Sequence, residues 1–111
     1  VVELLLNYKA IPNLVDGEGN TALIHAALND FEEIVNVLLR VGASINRANK
    51  QGKTALMRAA ETGSNFSVAA LLSAGADFTL TDFTGRTAFD LARENRQNSV
   101  LVILRKAKIK K

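Results

Sequence analysis

The block Gly-x-Thr-Ala-(Leu/Phe) occurs three times at one spacing. It reads Gly19-Asn20-Thr21-Ala22-Leu23, then Gly52-Lys53-Thr54-Ala55-Leu56, then Gly85-Arg86-Thr87-Ala88-Phe89, each copy 33 residues after the last. A fixed period of roughly 20–50 residues means stacked units, each in contact only with its neighbours. A chain built this way presents a surface to a partner rather than enclosing a reaction centre.

Each unit reads as a turn followed by two helices. Asp16-Gly17-Glu18-Gly19 is a turn signal, with an acidic residue first and glycine fourth. Thr21 is placed to N-cap a helix whose small-residue face is Ala22, Leu23, Ala26 and Ala27. The polar pair Asn29-Asp30 ends it. A second helix is expected from Glu32 to Val41, where Ile34, Val35, Leu38 and Leu39 form an apolar stripe at helical period. Gly42 stands where a left-handed terminating residue is needed. The middle unit repeats this: the turn Asn49 to Gly52, the cap Thr54, a helix from Ala55 to Thr62 broken by Gly63, and a second helix ended by Gly75. The last unit has the turn Asp82 to Gly85, the cap Thr87, a helix from Ala88 to Asn95, and a helix through Val100, Leu101 and Leu104. Counting back one period places Val1 to Leu6 at the end of an earlier second helix, with Lys9 at the glycine position and Ala10 and Asn13 matching Ala43 and Asn46. The divisions are 1–15, 16–48, 49–81, 82–104 and a basic tail, 105–111. An opening half unit implies a longer array or an upstream cap. Arg93, Glu94, Arg96, Gln97 and Asn98 give the far end the polar surface of a terminal unit.

Composition narrows the function. Hydrophobic residues make up 48% of 111, enough for a core, and no run of about 18 apolar residues offers a membrane span. No leader pattern opens the chain. Cysteine is absent, which excludes disulfides and thiolate metal sites and fits an intracellular setting, cytoplasmic or nuclear. Charge is uneven: residues 1–92 are net −3 and residues 93–111 net +6. His25 is the single histidine, without a cysteine or second histidine to share a metal. Glu32 and Glu33 are adjacent on a helix and point apart. The glycines recur at the repeat spacing and serve turns and helix ends, so no phosphate loop is present. No catalytic residue, cofactor or metal is expected.

The pattern resembles the ankyrin repeat. Gly19 to Ala27, Ile34-Val35-Asn36-Val37-Leu38-Leu39-Arg40-Val41-Gly42-Ala43 and Gly75-Ala76-Asp77 carry the likeness. The family's proline is alanine here (Ala22, Ala55, Ala88), and its turn-stitching histidine is Ile24, Met57 and Asp90. Apolar packing is therefore expected at Ile24 and Met57 in place of those hydrogen bonds. The resemblance implies an all-α solenoid and a non-enzymatic protein-binding module. It also implies a concave face built from turn tips and first helices.

On that face the candidate partner-binding residues are Glu18 and Asn20, then Lys50, Gln51 and Lys53, then Phe83, Thr84 and Arg86, with Arg58 and Glu61 bordering. Charge runs from acidic to basic along the tips. Phe83 would anchor a partner by apolar contact, while Lys50, Lys53 and Arg86 would orient one with an acidic stretch. Phe31 and Phe66 are expected to cover the seams between units. Two alternatives stand beside this reading. The basic residues Arg105, Lys106, Lys108, Lys110 and Lys111 would suit nucleic acid or an anionic surface, or serve only to solubilise the end. By resemblance, the segment would also suit the regulatory part of a larger enzyme or channel.

Overall fold

The computed structural model describes residues 15–109. The opening half unit, including Lys9, Ala10 and Asn13, lies outside the described residues, as do Lys110 and Lys111. Among the described residues are six helices: α1 (Ala22–Leu28), α2 (Glu32–Arg40), α3 (Ala55–Thr62), α4 (Asn65–Ser73), α5 (Ala88–Glu94) and α6 (Asn98–Ile109). The first helices α1, α3 and α5 pack in one row, and α2, α4 and α6 in a second behind it.

The threonines start the first helices as the sequence requires. Thr21 Oγ1 accepts from Ile24 N at 3.2 Å and Thr54 Oγ1 from Met57 N at 3.3 Å. Thr87 does the same for Asp90 N at 3.3 Å, and the Asp90 carboxylate returns the bond to Thr87 N at 3.1 Å. Alanines let the first row close up: Ala26, Ala27, Ala55, Ala59, Ala60, Ala88 and Ala92 are all buried. Leu23, Leu56, Leu38, Leu71 and Leu104 fill the space between the rows, each contributing roughly 2 kcal/mol by leaving water. Ile24 and Met57 are buried as apolar packing at the histidine position requires. Asp90, at the same register, stays at the surface beside Arg93 (3.1 Å), which occupies the position of buried Ala27 and Ala60. The outward side of the last unit is thus polar.

The first helices end on one backbone conformation reached by different residues. Gly63 has φ +75°, and its repeat equivalents Asp30 and Arg96 have φ +58°. A left-handed residue with a side chain costs about 1 kcal/mol. Asp30 offsets this by reaching into the next unit, where its Oδ1 accepts from Ser67 N at 2.9 Å in the first turn of α4. Ser64 Oγ, at the start of α4, donates to Leu28 O at 3.2 Å. Gln97 Nε2 makes the equivalent bond to Glu61 O at 3.2 Å across the next seam.

Two expectations are corrected. The basic tail does not begin after Leu104: α6 runs on to Ile109. Residues 105–109 contain no glycine or proline to stop a helix, and Lys106 and Lys108 sit at its C-terminal end, where cations complement the helix dipole. Phe31 and Phe66 do not cover the seams; they are 51% and 65% exposed. Phe66 shares its register with exposed Glu33 and Ser99, so that position faces solvent in every unit.

Candidate functional site

Each turn is built around the side chain that opens it. Asp16 Oδ1 accepts from Glu18 N and Asn20 N, both at 2.9 Å. Asn49 Oδ1 accepts from Gln51 N and Lys53 N at 2.9 and 3.0 Å, and Asp82 Oδ1 from Thr84 N and Arg86 N at 2.8 and 3.1 Å. Neighbouring turns are then joined through the backbone: Lys50 N donates to Glu18 O at 3.0 Å, and Phe83 N to Gln51 O at 3.1 Å. The row of tips is a hydrogen-bonded ribbon. The backbone ladder and the turn-opening side chains hold the tips, with Ile24 and Met57 buried behind them.

The two seams of this ribbon differ in chemistry. Between the first and second turns, Asn49 Nδ2 donates to Asn20 Oδ1 at 2.9 Å. Here His25 Nε2 lies 2.8 Å from Asp16 Oδ2. That contact, helped by the Asn20 and Glu18 amides, lowers the Asp16 pKa to about 2. Between the second and third turns the groups are ionic. Lys53 Nζ meets Glu61 Oε2 at 3.0 Å, and Arg58 pairs with the same carboxylate. Arg86 Nε contacts both Glu94 oxygens at 2.7 and 2.8 Å, which holds its charge more firmly. Arg86 Nη1 donates to Thr84 Oγ1 at 2.8 Å, and that hydroxyl donates to Asp82 Oδ1 at 2.6 Å. Burial pushes the Asp82 carboxyl up, but the Thr84 hydroxyl, the Arg86 and Thr84 amides and the Lys53 charge outweigh it and hold the pKa below the ordinary value.

These groups border a shallow cleft of about 330 Å³. Of the residues expected from sequence, Gln51, Lys53, Glu61, Thr84 and Arg86 line it. Arg58 joins through Glu61. Glu18 and Asn20 stand on the first turn, away from the cleft. Arg105, Lys106 and Lys108 are on α6 in the second row, and Lys108 Nζ lies 5.8 Å from the Phe89 ring centroid. Phe83 stands at the edge, 79% exposed, with its ring seated over Gly52; a Cβ there would come within 2.6 Å of Phe83 Cδ1. Lys53 is not the solvent-facing cation expected of a turn tip, being 19% exposed and paired with a carboxylate at 12%. Lys50 does face solvent.

Sequence reasoning passed over Asp82, Glu94 and Gly52. The signal for Glu94 was available: Lys53 to Glu61 and Arg86 to Glu94 are both eight residues apart, one period from each other.

Two-helix units stacked through hydrogen-bonded turns define a repeat solenoid that displays a surface. A family model described as ankyrin repeats, in three copies, matches residues 1–82. The chain belongs to the ankyrin repeat family. Apart from Asp82 the last unit lies beyond the matched residues, yet it repeats the turn bonds and threonine cap of the others. A comparison with curated proteins gives no match. Domains of this family are generally protein-interaction modules and typically non-catalytic. Among the described residues no helix is long and apolar enough to cross a membrane, and no group of three or more acidic or histidine side chains could hold a metal ion.

Proposed function

We infer that this chain binds another protein through the turn tips and first helices, centred on the seam between the second and third turns. The observation that carries this is Phe83: a large apolar side chain, 79% exposed, on a backbone tied to its neighbour. Beside it Arg86 is already fixed by Glu94 and Thr84, so little side-chain freedom is lost when a partner arrives. An aromatic next to an arginine is the composition of an interface hot spot. The ion pairs leave Lys50 and the open edge of the Arg86 guanidinium to meet a carbonyl or carboxylate of an acidic partner segment. No catalytic step is assigned to the cleft.

The test is capture from a nuclease-treated lysate on the immobilised chain, read by mass spectrometry. Wild type is compared with Lys50→Glu/Phe83→Ala and with Arg105→Glu/Lys108→Glu. Loss of one discrete protein with the first pair alone, by ~30-fold or more, supports the reading. Retention with the first pair and loss with the second would move binding to the end of α6 and overturn it.

A further inference from the structure

Each unit presses one side against the unit that follows. On that side Asp30 Oδ1 accepts from Ser67 N, and an added Cβ on Gly63 would run into the Gln97 side chain. Leu72, Ser73 and Gly75 line a groove of about 870 Å³ shared with Ile103 and Lys106 of α6. Ala60 is fully buried in the first row. One period on, Ala60, Gly63, Leu72, Ser73 and Gly75 become Arg93, Arg96, Arg105, Lys106 and Lys108. Small or apolar residues give way to five cations, all of them exposed. α5 packs on α3 and α6, and α6 on α4 and α5, so no described helix covers this side of the last unit.

An end unit stays soluble with polar residues of either sign, whereas these positions carry one sign. The acid beside them is Asp90, which Arg93 meets at 3.1 Å, and Glu94 is held by Arg86 in the turn row. Arg96, Arg105 and Lys106 have no carboxylate partner among the described residues. Of the large exposed apolar side chains described, only Val102 stands on α5 or α6. A protein–protein interface closes around an apolar core, and this end offers none. Protein–DNA interfaces are polar and strongly positive.

We propose that the basic end of the stack, Arg93, Arg96, Arg105, Lys106 and Lys108, docks on the phosphate backbone of duplex DNA. The guanidinium forks of the three arginines match phosphate oxygens two at a time. Arg96 stands just before α6 and Lys108 near its end, so the cations run about 18 Å along the helix, a span that covers several phosphates of one strand. Single strands would need aromatic platforms for their bases, and here the Phe89 ring lies under Lys108, with Nζ 5.8 Å from its centroid. Lysine and arginine only donate, so these side chains have nothing to accept from the 2′-hydroxyl that sets RNA apart. Contacts to phosphates alone position the chain without reading sequence. The turn row lies on another side, so the inference is independent of the binding reading above. A protein held at Phe83 would then be carried to DNA.

The experiment is fluorescence anisotropy of a short labelled DNA duplex of mixed sequence, titrated with the whole chain over a series of salt concentrations. The logarithm of the binding constant should fall with the logarithm of salt at a slope of about −4, as four or five phosphate contacts require. Arg93→Gln and Arg105→Gln should each weaken binding at low salt by ~3-fold or more and flatten the slope by about 0.9. Arg96→Gly should do the same with the fold intact, since Gly63 holds that register in the left-handed conformation; circular dichroism checks the fold. Lys50→Gln and Arg40→Gln remove a charge elsewhere and should leave the slope unchanged. Absence of binding at low salt would overturn the proposal. So would equal losses from Lys50→Gln, or binding that disappears only when Lys110 and Lys111 are removed. Tighter binding of duplex RNA, of polyglutamate or of phosphatidylserine vesicles would overturn it as well.

Discussion

The two seams of the turn row share a backbone and differ in what stands on it. Both are closed by one N–H to carbonyl bond, Lys50 to Glu18 and Phe83 to Gln51. The first seam adds a neutral amide bond, Asn49 to Asn20. The second adds half-buried charge, with Glu61 between Lys53 and Arg58 and the Asp82–Thr84–Arg86–Glu94 chain beside it. The backbone ladder sets the spacing of the units, and so tolerates either chemistry. The side chains decide how each seam responds to substitution, salt and partners. A repeat protein can thus vary its surface seam by seam without altering its stack.

The largest expected difference lies in the turn glycines. At Gly52 an added Cβ would meet Phe83 N at 2.8 Å as well as the ring, in a residue at φ +80°. Gly52→Ala should therefore cost about 3 kcal/mol, left-handed strain plus displacement of the third turn. At Gly19, with the same φ, the nearest atom would be Lys50 N at 3.0 Å, and Gly19→Ala should cost about 1 kcal/mol. Urea unfolding of the two variants measures both. Equal losses would mean that Phe83 does not pack on the second turn.

The ion pairs come next. Glu61→Gln leaves two cations without their shared carboxylate in a half-buried setting, an expected loss of about 1–2 kcal/mol. Glu94 is 50% exposed, and Glu94→Gln should cost under about 0.5 kcal/mol. The comparison sharpens if added salt narrows the gap between the variants and wild type. It breaks if both substitutions cost the same.

Much of this was legible in the sequence because it repeats. The 33-residue period gave the stack, and the threonine caps and Gly63 gave the first-helix ends within a residue. Features that depend on the neighbouring unit were not legible. Asp30 and Arg96 adopt the left-handed conformation without a glycine to announce it; at Asp30 the next unit's α4 supplies the compensation. Lys53 reads as a surface cation until the turn is folded against α3, which brings Glu61 to it across eight residues. Phe66 reads as a seam residue until the register shows that position facing out. The continuation of α6 was missed for the opposite reason: a basic run reads as a tail, although nothing in it breaks a helix.

Behind the first seam lies a buried hydroxyl, where the last unit has an apolar side chain. Ser67 is fully buried and its Oγ finds no partner among the described residues. The same register holds Val100 in the last unit, also fully buried. Ser67→Val should raise stability by about 1 kcal/mol, since an unbonded hydroxyl gives way to methyl groups in an apolar site. A loss of stability in thermal unfolding would show that the hydroxyl is bonded or that the site is too tight for valine.

The smallest effect is a titration. Asp16, in the first turn, has its pKa lowered to about 2, first by His25 and then by the Asn20 amide. A carboxylate whose pKa is lower folded than unfolded adds stability above the ordinary value of 3.8. That contribution falls away as the pH drops through the window between 3.8 and about 2. His25→Leu borrows the residue found at that register in the last unit, Leu91, and removes the larger cause. The Asp16 carboxyl, followed by carbon NMR, should then titrate closer to 3.8, while Asp82 in the second seam keeps its midpoint. An unmoved Asp16 would assign the shift to the turn amides alone. The two seams would then differ only in their side-chain pairs, not in how their turns hold charge.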